Sequence, residues 1–179
     1  KETASAFINA SLLTIEPRKK WPDGKFIKPL LMPGICLSKY GDSGYGEMVK
    51  KGKYPPPGSP KRFNDQLVAK SALVLAPLIR EKGITHITFV PSLRSDLVKD
   101  FAMRLAAKAH LQFAELLEKS EAPQQKEMEN SAFQCNNAMS AFRILNTRMP
   151  EKTILVDDVV DSKWTLTVCG YKIMEGGCQ

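Results

Sequence analysis

The sequence predicts an α/β protein whose parallel sheet is flanked by helices, and three observations carry that expectation. Ile84-Thr85-His86-Ile87-Thr88-Phe89-Val90 alternates, is rich in β-branched residues and reads as a buried strand. Lys152 to Val156 reads as another. Helical periodicity lies before, between and after the two, and strands alternating with helices imply a parallel sheet.

The elements follow in order. Thr3 to Leu13 can form a helix, with Ala6, Phe7, Ala10 and Leu13 on one face. Glu16-Pro17-Arg18-Lys19-Lys20-Trp21-Pro22-Asp23-Gly24 is basic and turn-rich, and its prolines and Asp-Gly pair oppose a continuing helix. Residues 1–33 are therefore read as an N-terminal arm or linker and residues 34–179 as the domain proper. Residues 40–60, with Pro55-Pro56-Pro57-Gly58, predict an exposed loop around a short helix near Gly46 to Lys53. Phe63, Leu67, Ser71, Leu75 and Leu78 then recur at helical spacing up to Gly83, a natural stop. Ser95 is placed to cap a helix from Asp96 to Ala109 that turns Leu97, Phe101 and Leu105 inward. A short strand is expected over Leu111 to Leu116. Residues 118–141, polar and rich in Asn and Gln, read as a mobile excursion with short helices, and Thr165 to Met174 as a final helix.

Bulk properties narrow the class. The 179 residues suffice for one domain with a core. No apolar run approaches the roughly 18 residues of a membrane span, and the start lacks the basic and apolar regions of a signal peptide. Its abrupt beginning suggests a piece of a longer chain. Cys36, Cys135, Cys169 and Cys178 are scattered, which suggests neither zinc nor a disulfide framework and points to a reduced, cytoplasmic protein. Cys135 and Cys169 read as small core hydrophobes. The net charge of +7 favours anionic ligands or is ordinary solubility charge.

The chemistry concentrates in Val156-Asp157-Asp158-Val159-Val160-Asp161-Ser162-Lys163-Trp164-Thr165. An apolar strand runs into an acid pair, and a hydroxyl-bearing loop then opens a helix. In open parallel sheets, ligands sit beyond the carboxyl ends of the strands. A helix start favours phosphate, and the Ser162 and Thr165 hydroxyls can donate to its oxygens. Asp157 and Asp158 can accept from a ribose diol or hold a divalent cation. An acid pair alone would suit any capped strand-helix junction; the whole string is more specific.

That string resembles the signature of type I phosphoribosyltransferases, an acid pair, two aliphatics, then Asp-Ser/Thr-Gly-x-Thr. The resemblance implies a phosphoribosyltransferase-type, Rossmann-like fold. It implies Asp157 and Asp158 on the ribose hydroxyls, with Mg2+ held there directly or through the ligand. It implies Ser162, Lys163, Trp164 and Thr165 around the 5-phosphate, and Asp161 as a catalytic acid facing a base. Lys163 departs from the family glycine and either supplies a direct charge or signals lost catalysis. Trp164 can touch ligand or pack beneath the loop. The family's pyrophosphate loop corresponds to Val90-Pro91-Ser92-Leu93-Arg94-Ser95-Asp96, where Ser92 and Arg94 would meet diphosphate.

Tyr45 to Lys53, Pro123-Gln124-Gln125, Asn137 and Ala141-Phe142 extend the likeness to the ComF branch of the fold, although the zinc-binding cysteine pairs of that branch are missing. Gln125-Lys126-Glu127-Met128-Glu129-Asn130-Ser131 and Asp161 to Thr167 resemble the C-terminal domain of bacterial RecQ-type ATP-dependent DNA helicases. The Glu16 to Pro22 arm fits the linker before that domain. No Walker A string is present, so this segment is not itself the motor. The expected function is recognition of phosphoribosyl pyrophosphate or a nucleotide by an accessory part of such a helicase. Active phosphoribosyl transfer is one alternative, and DNA binding through the basic arm and the parent helicase is another. His86 and His110, with no partner nearby in sequence, are weak catalytic candidates. The Gln124 to Asn137 cluster reads as a hood over a base or as a solvated surface. The acceptor base and oligomeric state are not legible.

Overall fold

A computed structural model describes residues 12–39, 45–121, 130–145 and 148–179. The expected helix over Thr3 to Leu13 lies outside them apart from its last residues, as do Pro123, Gln124 and Gln125. The architecture is mixed α/β, with five helices among the described residues and a three-stranded parallel sheet.

Strand β3 (His86–Phe89) is the centre of that sheet, between β4 (Gln112–Phe113) and β7 (Thr153–Val156). Both neighbours run parallel to it; His86 pairs with Thr153 and Phe89 with Val156. Alternation sends Ile87, Ile154 and Val156 to one face. There they pack against helices α2 (Asp65–Lys82) and α3 (Leu97–Ala109), through Leu67, Leu97, Phe101 and Leu105. Val90 and Leu155 face the other way, onto α5 (Trp164–Glu175), through Trp164, Val168, Cys169 and Ile173. The sheet is thus sandwiched between helices, as the periodicity predicts.

The caps explain where the helices stop. Asn64 accepts from the Leu67 amide at 2.7 Å and starts α2. Gly83, at φ 64°, ends it in the left-handed conformation that glycine adopts without strain. Ser95 accepts from the Leu97 amide at 3.2 Å, so α3 starts one residue later than expected. His110 closes α3 at φ 57°, a structural role for one of the two histidines.

Other expectations change in detail. The strand expected over Leu111 to Leu116 is only the two residues of β4, and a further strand that was not expected, β5 (Leu117–Lys119), follows where the chain leaves the parallel sheet. β5 pairs antiparallel with β6 (Phe142–Ile144), forming a separate ribbon. The described part of the polar excursion holds one regular helix, α4 (Ser131–Ala141), rather than short ones. Asn130 caps it, accepting from the Phe133 amide at 2.9 Å. Cys135, Ala138 and Ala141 are its buried face, and α4 packs on α5. Cys135 and Cys169 are buried and free, and burial pushes both thiols up in pKa, as suits core residues.

The arm is not detached. Strands β1 (Leu13–Ile15) and β2 (Gly34–Cys36) pair antiparallel, and between them Ile27 enters the core of α5. Helix α1 (Tyr45–Lys53) then delivers Lys53 to the carboxyl end of β7, where it meets Asp158. Gly52 makes this possible: a Cβ there would stand 2.6 Å from the Phe63 ring and 2.8 Å from the Arg62 carbonyl oxygen. Gly52→Ala is therefore expected to cost roughly 1–3 kcal/mol of stability, the range for overpacking a filled core. Urea unfolding measures it; a loss below about 0.5 kcal/mol would mean that the α1 end yields freely.

Candidate functional site

The β3–β7 pairing places the two predicted anion loops side by side. Both strands run the same way and end in register at Phe89 and Val156, and the Val90 amide donates to the Val156 carbonyl at 2.9 Å. The loop of Ser92 and Arg94 and the loop of Asp157 to Thr165 therefore leave the same sheet edge. Such an edge is where open α/β sheets present ligand sites.

At the end of β7, Asp157 and Asp158 diverge in role. Lys53 Nζ lies 2.8 Å from Asp158 Oδ2, with both side chains largely covered. Partial burial opposes the Lys53 charge, but the hydrogen bond and attraction of Asp158 outweigh it and hold the ammonium above its ordinary pKa. Asp157 has no such partner. Burial pushes its carboxyl up to about 7; the Asp158 amide, donating to Oδ1 at 2.8 Å, opposes the rise, and the Asp158 charge adds to it. One member of the pair is thus an ion-paired carboxylate, and the other changes charge near neutrality. Lys53 belongs to the site, and sequence reasoning missed its role: it sits within the Tyr45 to Lys53 string, but nothing local ties it to an acid over 100 residues away.

In the loop that follows, Lys163 stands at φ 67°, ψ −4°, a left-handed conformation that glycine takes without cost. A lysine holding it is unusual among non-glycine residues. It occupies the N-cap of α5 and makes no side-chain cap bond. The Ser162 hydroxyl accepts from the Trp164 amide at 3.4 Å. Asp161 is exposed, and Thr165 half-buried. The Trp164 side chain is only 2% exposed and packs beneath the loop, its Nε1 donating to Ser131 Oγ at 2.8 Å. Of the two roles open to this indole, packing is the one observed.

Across the edge, Ser92 Oγ accepts from the Arg94 amide at 3.2 Å and shapes that turn. Arg94 is exposed. A cleft of about 290 Å³ opens beside this turn, with Ser92, Ser95, Asp96, Lys99 and Glu115 on its walls. Lys99 and Glu115 pair at 2.7 Å. Neither Arg94 nor the Asp157–Asp158 pair lines this cleft. The two predicted half-sites are therefore neighbours on one edge, and this cleft belongs to the Ser92 side.

The remaining candidates separate from the site. His86 Nδ1 lies 2.7 Å from Thr85 Oγ1, at the opposite end of β3. Asn136 and Asn137 are exposed on α4. No three His, Cys, Asp or Glu side chains gather as a metal site among the described residues. With Lys53 on Asp158, the acid pair does not suit a resident Mg2+ held by protein alone.

No protein-family model, curated protein or solved structure matches the chain.

The Asp157 carboxyl makes a pH prediction. Its folded pKa of about 7 stands above the ordinary 3.8, so the folded state retains a proton that the unfolded state loses. Stability should therefore fall as pH rises from about 4 to about 7, with a full penalty on the order of 2–4 kcal/mol above that. Asp157→Asn should stabilise the protein at pH 8 and change little at pH 5. Equal effects at both pH values in urea unfolding would remove the burial argument.

Proposed function

We propose that this chain is a phosphoribosyltransferase-type domain that binds phosphoribosyl pyrophosphate or a nucleotide at the carboxyl edge of its parallel sheet. It would serve as an accessory or regulatory part of a RecQ-type ATP-dependent DNA helicase in the cytoplasm. The observation that carries the reading is Lys163. The strand, acid pair, hydroxyl loop and helix start occur in the order the signature needs, and Lys163 adopts the glycine conformation at the glycine position. A strained backbone at the loop of a candidate site, held by a residue that does not favour it, supports that reading.

In this reading Asp158, already charge-paired with Lys53, and Asp157 accept from the ribose diol. Ser162, Lys163 and the Trp164 and Thr165 amides surround the 5-phosphate, and the positive end of α5 strengthens the field there. Ser92 and Arg94 meet the diphosphate from the adjoining loop. Mg2+ would arrive on the diphosphate as part of the ligand, where it neutralises the phosphate oxygens. Because a diol is best met by a carboxylate, affinity should strengthen as Asp157 ionises near pH 7.

Active phosphoribosyl transfer is favoured by one observation: Asp161 is exposed at the loop tip, with no hydrogen-bond or ion-pair partner among the described residues. Release of pyrophosphate in the presence of nucleobases, lost in Asp161→Asn, would establish turnover. DNA binding is favoured by Lys19, Lys20 and Lys25, all exposed on one hairpin with Phe26 at 64% exposure. Neutralising those lysines should then weaken single-strand binding and flatten its salt dependence.

Calorimetry with Mg2+ and phosphoribosyl pyrophosphate tests the main reading. Binding is expected in the wild type and its loss in the double variant Asp157→Asn with Asp158→Asn; wild-type affinity in that variant would sink the assignment. Lys163→Gly separates the two contributions of its residue. Relief of the left-handed backbone should raise stability by about 1 kcal/mol. Loss of the ammonium should weaken phosphate binding by roughly 1.5–3 kcal/mol. Tighter binding by the glycine variant would instead mark Lys163 as an obstruction.

A further inference from the structure

The N-terminal arm closes on the back of the sugar-phosphate loop, and Arg18 is its point of contact. Arg18 Nε donates to the Ser162 carbonyl at 2.8 Å, and its guanidinium carbon lies 4.4 Å from the centroid of the Trp164 ring. Trp21 stacks on the same indole, with centroids 6.1 Å apart and planes 7° from parallel. Trp21 also makes a T-shaped contact with Tyr171 of α5, ring centroids 5.0 Å apart. The segment between is braced: Lys20 bridges to Phe26, the Ile27 amide donates to the Lys19 carbonyl at 2.9 Å, and Ile27 is 3% exposed. Further along, the arm is seated again where Leu31 covers Gly170, since any Cβ there would collide with the Leu31 side chain. Trp164 in turn bonds Ser131 at the start of α4.

These contacts converge on the residues either side of Lys163. Its left-handed backbone must be held by its neighbours, because a lysine does not choose it. On the N-terminal side, Arg18 grips the Ser162 carbonyl. On the C-terminal side, Arg18 and Trp21 pin the Trp164 ring. We infer that Arg18 is a positioning residue for the sugar-phosphate loop, and that the arm is a built part of the site rather than a tether beside it. The ligand half of this inference rests on the function proposed above; the loop half does not. A lysine at position 18 would keep the charge but lose both the Nε bond and the flat stacking surface.

Hydrogen exchange of residues 159–164, measured without ligand, tests the loop half. Arg18→Ala and Arg18→Lys should both accelerate exchange there by tenfold or more while the β3 and β7 amides keep wild-type protection. Trp21 and Trp164 are the chain's two tryptophans, so selectively excited tryptophan emission reports on this junction and should shift to the red in both variants. Unchanged exchange and emission would overturn the inference. If Arg18→Ala does not fold, Arg18→Lys decides by the same two readouts. Calorimetry with Mg2+ and phosphoribosyl pyrophosphate then tests the ligand half, with affinity expected to fall at least tenfold in either variant. Equal affinity in variant and wild type overturns the positioning role and leaves the ligand reading standing. Accelerated exchange with no binding even by the wild type keeps the strap and removes the ligand reading.

Discussion

The parallel pairing of β3 with β7 is the constraint on which the rest depends. The two strands are separated by more than 60 residues, yet they align from His86 with Thr153 to Phe89 with Val156. A shift of one residue would exchange the faces of β7 and send Leu155 toward α2 and α3 and Ile154 toward α5. The apolar surfaces on the two sides differ, so burial resists that slip. Because the register holds, both strands end at one level, and their loops emerge together. A site built from two distant segments thus inherits its geometry from the packing of the core.

A second layer of control acts at the start of α5. Trp164 is buried among the arm, α4 and its own helix, and every element that touches it helps determine how the preceding loop leaves β7. Lys163 tolerates a backbone conformation it would not choose, and Arg18 and Trp21 hold the residue on each side. The resulting picture is a rigid sheet edge carrying a loop strapped from behind. The electrostatics follow the same division. Asp158 is anchored by Lys53, while desolvation pushes the half-buried Asp157 carboxyl up to about 7. Two adjacent carboxyls therefore differ in setting: one is ion-paired with the end of α1, and desolvation dominates at the other.

The elements themselves were legible because local rules govern them. Apolar periodicity located α2, α3, β3, β7 and α5 to within a residue or two, and Gly83 marked a true helix end. The Asp157 to Thr165 string stood out for the same reason, since the strand, acids, hydroxyls and helix start are contiguous. Where one local rule competed with another, the reading blurred. The stretch Leu111 to Leu116 reads as one strand, but only Gln112 and Phe113 join the parallel sheet, and the next strand, β5, turns into the β5–β6 ribbon. The Asn- and Gln-bearing excursion reads as polar and loose, yet its described part is a helix seated through Cys135, Ala138 and Ala141.

What the sequence determined by itself was the alternation of the longer helices with β3 and β7, most of their core-facing residues, and the one loop whose composition suits a sugar phosphate. These follow from hydrophobic period, capping chemistry and the grouping of acids and hydroxyls, all of which act over a few neighbours. Only the tertiary structure decided that Lys53 takes Asp158, that the Trp164 indole turns inward, and that Arg18 faces the loop instead of solvent. Each of those joins residues more than 30 positions apart. A basic side chain carries no local mark of which distant carboxylate, carbonyl or ring it will meet, and that choice is made when the core brings the segments together.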